Sequence, residues 1–232
     1  MNSSFIGLPP VKLTISGLRK SFTRHLFDGK RLEVLRGVDL VLHPGTFTLL
    51  QGASGSGKSS LLRCVYRSCL ADAGSIVLRC GSFERDLASA DERTMLALRR
   101  THVGLATQFL AVVPRVAAID LLRENGLDAE AAAELLGALG LPRELFDVPP
   151  ATFSGGQRQI LNVALALSLP RPLLLLDEVT ASLDPERRRA VLRVLLERKR
   201  AGVTMLAVSH EIPGLPSLVD RIATMRSGVV AA

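Results

Sequence analysis

Eight consecutive residues constrain this chain more than any others: Gly52-Ala53-Ser54-Gly55-Ser56-Gly57-Lys58-Ser59. They fit G-x-x-x-x-G-K-[ST], a loop whose backbone N–H groups cradle phosphates. The apolar run 47–50 precedes the loop, and Ser60-Leu61-Leu62-Arg63-Cys64-Val65 follows it with helical character. A strand, a tight loop and a helix in that order place the motif in an α/β fold. Gly52, Gly55 and Gly57 let the backbone approach a ligand closely, and the helix N-terminus adds the positive end of a dipole. In such a loop Lys58 reaches the β- and γ-phosphates, and Ser59 ligates Mg²⁺. Ser54, inside the loop, and Ser60, directly after it, are counted with the nucleotide-binding residues.

At 232 residues, 47% of them hydrophobic, the chain has the material for one α/β domain with a small subdomain. The most apolar stretch, 160–176, is interrupted by Asn162, Pro170, Arg171 and Pro172, so no run is long and apolar enough to span a bilayer. No secretory leader is visible at the N-terminus, and three cysteines without metal-type spacing suit buried thiols in a reducing compartment. A cytoplasmic location is expected. The net charge of +7 would suit nucleic acid or anionic lipid, but with one Tyr and no Trp there is no base-stacking platform. Nucleic-acid binding is therefore not expected. The basic cluster over 187–200 alternates with Val191, Val194 and Leu195 and reads as the solvated face of an amphipathic helix.

Strands are expected at 11–15, 38–42, 47–50, 75–79, 103–106, 173–176 and 203–208. Helical spacing runs over 117–141, stopped by Pro142, and again over 157–169. Asp184-Pro185 reads as an N-cap and first-turn proline opening a helix to about Arg200. Asp28-Gly29 signals a turn in the polar segment 23–30. The chain thus reads as a single domain, 1–232, with a mostly helical insertion over roughly 87–169.

Two further motifs bear on phosphate chemistry. The run Leu173 to Leu176 ends in Asp177-Glu178, which puts carboxylates at the tip of a central strand, where open α/β sheets bind ligands. Asp177 suits Mg²⁺, and Glu178 suits a general base acting on water. The second motif, Phe153-Ser154-Gly155-Gly156-Gln157, opens a helix and makes another anion-binding nest. One nucleotide needs only one such loop, so a second nest makes sense if it serves a nucleotide held by another chain, in a two-fold pair.

In this order the motifs resemble the ATPase domain of the ABC family over nearly the whole chain. The resemblance implies an ABC-type P-loop ATPase with a RecA-like core, an N-terminal antiparallel β subdomain and a helical signature subdomain. It implies ATP and Mg²⁺ as ligands and ATP hydrolysis as the activity. Phe22 falls where the family stacks an aromatic on adenine. Gly52 to Ser59 match Walker A, and Gln108 matches the Q-loop residue that senses metal and water. Ser154, Gly155, Gly156 and Gln157 match the signature. Asp177 and Glu178 match Walker B, Ser182-Leu183-Asp184 the D-loop, and His210 the switch histidine that contacts the γ-phosphate. The implied partner is a second ABC subunit, identical or a sister chain.

Three segments sharpen the resemblance towards the ATP-binding L subunit of the phosphonate carbon–phosphorus lyase system: 31–35, 107–116 and 149–156. That implies a soluble accessory ATPase working with the lyase core complex. The alternative is the cytoplasmic ATPase of an exporter of the lipoprotein or macrolide type, docked on a membrane permease near Gln108. The chain departs from the family at Ile160 and Leu165, where arginines are usual, and at Val179, where proline is usual. None of these positions carries a phosphate, metal or general-base role. His25, His43 and His102 are isolated and read as structural; Cys64 and Cys69, five apart on a helix, need not share a face.

Overall fold

The computed structural model describes residues 8–24, 30–107, 115–209 and 218–231. Among these, the strands form two sheets. The first is antiparallel, in the order β2-β1-β4-β5, built from β1 (Val11–Arg24), β2 (Lys30–Leu42), β4 (Ala73–Cys80) and β5 (Phe83–Asp86). The second runs β10-β9-β3-β8-β7-β6, using β3 (Phe47–Gln51), β6 (Val103–Ala106), β7 (Leu173–Asp177), β8 (Thr204–Val208), β9 (Arg221–Arg226) and β10 (Val229–Ala231). Its strands are parallel except β10, which returns antiparallel to β9.

The long apolar runs find their place in the parallel sheet. All of β7 and β8 is buried, as strands covered on both faces must be. Alternate residues of β7 serve two cores. Leu174 and Leu176 pack with α5 (Gly155–Leu167) and α6 (Pro185–Arg200). Leu173 and Leu175 pack with α1 (Lys58–Val65) and the inner face of the antiparallel sheet. Helix α1 is therefore held between the two sheets, with Leu61, Leu62, Cys64 and Val65 buried. Burial, with Cys69 nearby, pushes the Cys64 thiol up to about 12; Cys69 lies beyond the end of α1 rather than on the same helix.

Helix starts are set by capping. Asp91 accepts from Thr94 N–H at the start of α2 (Glu92–Thr101), Asp128 from Ala131 N–H at the start of α4 (Ala129–Ala138), and Asp184 from Glu186 and Arg187 N–H at the start of α6. Each satisfies an orphan donor of its first turn. The helix expected over 117–141 is two helices, α3 (Ala118–Glu124) and α4, because Gly126 turns the chain at φ +97°. The strands expected at 11–15 and 38–42 are the starts and ends of longer ones, whose register shifts at three points break strict alternation. Strand β6 lies within 87–169 yet pairs with β7 in the central sheet. His102 stacks on Phe83 with ring centroids 5.1 Å apart, a structural role. Asp28-Gly29 and His25 lie outside the described residues. None of the described helices is long and apolar enough to cross a membrane.

Candidate functional site

Strand β3 delivers the chain from the buried centre of the parallel sheet into the loop 52–57. The loop lies tight against the sheet at one point and open at another. A Cβ on Gly52 would lie 2.2 Å from the Met225 carbonyl oxygen, so only glycine fits there, whereas one on Gly55 would meet nothing within 4 Å. Gly57, at φ +108°, caps α1 without a side-chain hydrogen bond. The N–H groups of the first turn of α1 are thus left uncapped by any side chain, the arrangement that receives anions.

Lys58 is buried, and its ammonium donates to the carbonyls of Gly52 and Ala53 at 2.8 and 2.9 Å. Those two bonds fix the amine inside the loop and leave one of its three N–H donors. Ser59 Oγ donates to Asp177 Oδ1 at 3.0 Å, joining the loop to the tip of β7. Asp177 is itself buried, and that burial pushes its carboxyl above the ordinary range. The Ser59 hydrogen bond and the charges of Arg63 and Lys58 oppose the rise, and the Glu178 charge adds to it. A hydroxyl and a carboxylate are the hard oxygen donors Mg²⁺ takes, and a site with few protein ligands is its habit. Among the described residues no three His, Cys, Asp or Glu side chains gather into a metal-binding group, here or elsewhere. Ser56 Oγ, buried in the same loop, has no partner among the described atoms. The residues fit a magnesium–phosphate ligand.

Glu178 follows Asp177 at φ +51°, in the left-handed region, with its N–H donating to the Val208 carbonyl at 3.0 Å. A non-glycine residue held there is strained, and such strain concentrates at functional positions.

The second nest opens α5. Ser154 Oγ accepts from Gln157 N–H at 3.3 Å, and Gln157 Oε1 accepts from Ser154 N–H at 2.8 Å, a reciprocal capping box. Because Ser154 Oγ accepts in that pair, its own O–H remains a donor. Ser154 and Gly155 are exposed. Gly156 packs against the D-loop, where an added Cβ would come 3.4 Å from the Ser182 carbonyl. Asp184 proves to be a helix cap: its carboxylate takes the Glu186 and Arg187 N–H groups and the Arg187 guanidinium at 2.8 Å, which together hold it below the ordinary carboxylate range.

Phe22 lies near the end of β1 and is 40% exposed. Ser60 is half-buried in the first turn of α1. Gln108 and His210 lie outside the described residues. Two buried polar side chains that sequence reasoning passed over, Gln159 and Asn162, donate to the Thr107 carbonyl just before Gln108. Their signal was available: polar residues in the apolar stretch of a helix need a partner.

A family model described as ABC transporter matches residues 35–181. The arginine transport ATP-binding protein ArgV of Corynebacterium glutamicum is 36% identical over 214 residues, covering 86% of this chain and 84% of that protein. The lipoprotein-releasing system ATP-binding protein LolD of Ruegeria sp. is 35% identical, covering 95% and 97%. Among solved structures, the dimeric bacterial ABC transporter cassette MJ0796 superposes with a TM-score of 0.83 at 22% identity, covering 95% and 97%, a likeness of fold. With its phosphate loop, Walker B carboxylates and signature nest in the family's order, this chain belongs to the ABC transporter family and is an ATP-hydrolysing protein that uses ATP and Mg²⁺.

Proposed function

We propose that two copies of this chain close head to tail around two molecules of Mg-ATP, and that this closing and reopening drives a membrane transporter of the exporter type. The observation behind the pairing is that one chain carries both a complete phosphate loop and a second, exposed nest at Ser154 and Gly155. Each nest would supply phosphate donors to the nucleotide of the other copy. Closure excludes water and strengthens every charge interaction inside.

Within each site the work is positioning and charge stabilisation. Gly52, Gly55 and Gly57 allow backbone N–H groups to surround the phosphates, and Lys58 neutralises their charge from inside the loop. Ser59 and Asp177 would hold the magnesium ion, which when bound spreads the negative charge of the phosphates. Glu178 orients water and takes its proton. Gln108 and His210 keep the roles the resemblance implies, sensing metal and water and contacting the γ-phosphate. Ser154, Gly155, Gly156 and Gln157 serve the partner copy's nucleotide. Asp184 acts as a helix cap that holds the D-loop, beside its role near the nucleotide. Phe22 offers an exposed apolar surface for adenine.

The transporter reading rests on the relatives. The match to the lipoprotein-releasing LolD covers 95% of this chain and 97% of that protein. The relatives reported above are transport and lipoprotein-releasing ATP-binding proteins, which favours an exporter ATPase on the cytoplasmic face over an accessory to carbon–phosphorus lyase. Most of the 107–116 stretch behind the lyase reading lies outside the described residues. Purifying the tagged Glu178→Gln chain with Mg-ATP from detergent-solubilised membranes of its native cells tests the proposal. A multi-span membrane protein should be retained in stoichiometric amount. Recovery of lyase subunits without a membrane protein would overturn the transporter assignment.

A further inference from the structure

Phe22 does not stand alone on its strand. Its cross-strand partner in β2 is Leu32, 41% exposed, so two apolar side chains share one open face. The Lys20 ammonium lies 5.2 Å from the Phe22 ring centroid, within cation–π range. Lys20 is in turn held by Asp72, whose Oδ1 accepts from its Nζ at 2.9 Å. The other carboxylate oxygen accepts from Ser21 N–H at 2.8 Å and from Ser21 Oγ at 2.5 Å. Arg31 closes the cluster from β2, donating to Ser21 Oγ at 2.7 Å with a second nitrogen 3.5 Å from Asp72. The Asp72 N–H donates to the Arg19 carbonyl at 2.8 Å.

Consecutive strand residues normally point to opposite faces. The register of β1 shifts between Lys20 and Ser21, and this irregularity lets both reach one carboxylate. Bulges re-aim side chains beside functional sites. Asp72 itself belongs to neither strand: it lies between α1, which begins at Lys58 of the phosphate loop, and β4. Its contacts to Ser21 and Lys20 hold its carboxyl down at about 2, so the cluster stays charged throughout the working pH range.

We infer that Asp72 is a positioning residue for nucleotide recognition: through Lys20 and Ser21 it fixes the Phe22 ring in place, with one ring face under the ammonium and the other left for a base, and ties that ring to the segment leaving the phosphate-loop helix. The inference rests on the reading of Phe22 as the adenine platform. It assigns Asp72 and Lys20 a part in holding the base and none in holding the phosphates.

The test compares Mg-ATP with inorganic magnesium tripolyphosphate, which has no base, by calorimetry on the full chain. Asp72→Ala and Lys20→Met should each weaken Mg-ATP by at least about five-fold, the lower end of what base–aromatic stacking is worth, and leave tripolyphosphate unchanged. Phe22→Ala should do the same, and adding Asp72→Ala to it should cost nothing further, since both act on one contact. If Asp72→Ala weakens both ligands equally, or adds its full effect to Phe22→Ala, the positioning role is overturned while Phe22 keeps its own. If Phe22→Ala leaves the ATP-to-tripolyphosphate ratio unchanged, the adenine-platform reading falls and this inference with it.

Discussion

Replacing Glu178 with glycine should make the nucleotide-free protein more stable than replacing it with alanine, while both variants lose turnover. Glu178 sits at φ +51°, directly after a fully buried strand and pinned by its N–H to Val208. Left-handed backbone costs an L-residue about 1–2 kcal/mol. Alanine keeps that strain, whereas glycine relieves it but loses about 0.4–1 kcal/mol through its greater freedom in the unfolded chain. The net advantage of glycine over alanine is about 0.5–1 kcal/mol, equivalent to about 1–4 °C in melting temperature for a domain of this size. Turnover in both variants should fall about 10²–10⁴-fold, the usual contribution of a positioned general base. Calorimetric or denaturant melts without nucleotide, alongside steady-state ATPase assays, measure the two effects separately. An alanine variant as stable as the glycine variant would refute the claim that residue 178 is strained, and normal turnover in either would refute its role as base.

Two further substitutions probe the phosphate and metal positions. Asp177 carries a carboxyl raised by burial, so the folded chain binds a proton more tightly than the unfolded one. Its ionised form therefore costs stability above the folded pKa, and that cost is relieved as pH falls through it. Asp177→Asn should raise or preserve the apo melting temperature, flatten its dependence on pH above the ordinary carboxylate range, and abolish the extra stabilisation by Mg-ATP over ATP alone. Gly52→Ala would bring a Cβ within 2.2 Å of the Met225 carbonyl. It should displace the loop from β9, cost about 2 kcal/mol or more as overpacking does, and weaken Mg-ATP at least about ten-fold; calorimetry on the folded fraction checks this.

The parts of the fold carried by local chemistry could be read from the chain. The phosphate loop announces itself because only glycines tolerate its close approaches and positive φ. Strands β7 and β8 show as apolar runs because both their faces are covered, and Asp184-Pro185 marks the start of α6 because capping is a matter of three or four residues. Helix α2 went unread although Asp91, Met95 and Leu98 carry its cap and its buried face. Strand β9 was missed because it lies away from the sheet centre and buries only two of its six residues, Ala223 and Met225. Other features are invisible by nature. Asp72 lies 51 residues from Ser21, so their contact leaves no trace in spacing. The positive φ of Glu178 is imposed by β7 and β8, not by a residue that prefers it. Asp184 was legible as a cap, and the structure shows how fully that task occupies its carboxylate.

Light scattering on the purified Glu178→Gln chain, with and without Mg-ATP, tests the central claim most directly. With Mg-ATP the particle should double in mass from the 24.9 kDa of one chain, retain one nucleotide per chain, and return to the single-chain mass when Ser154→Ala is added. A chain that binds Mg-ATP fully yet keeps the mass of one copy would contradict the two-fold sandwich from which the rest of the mechanism follows.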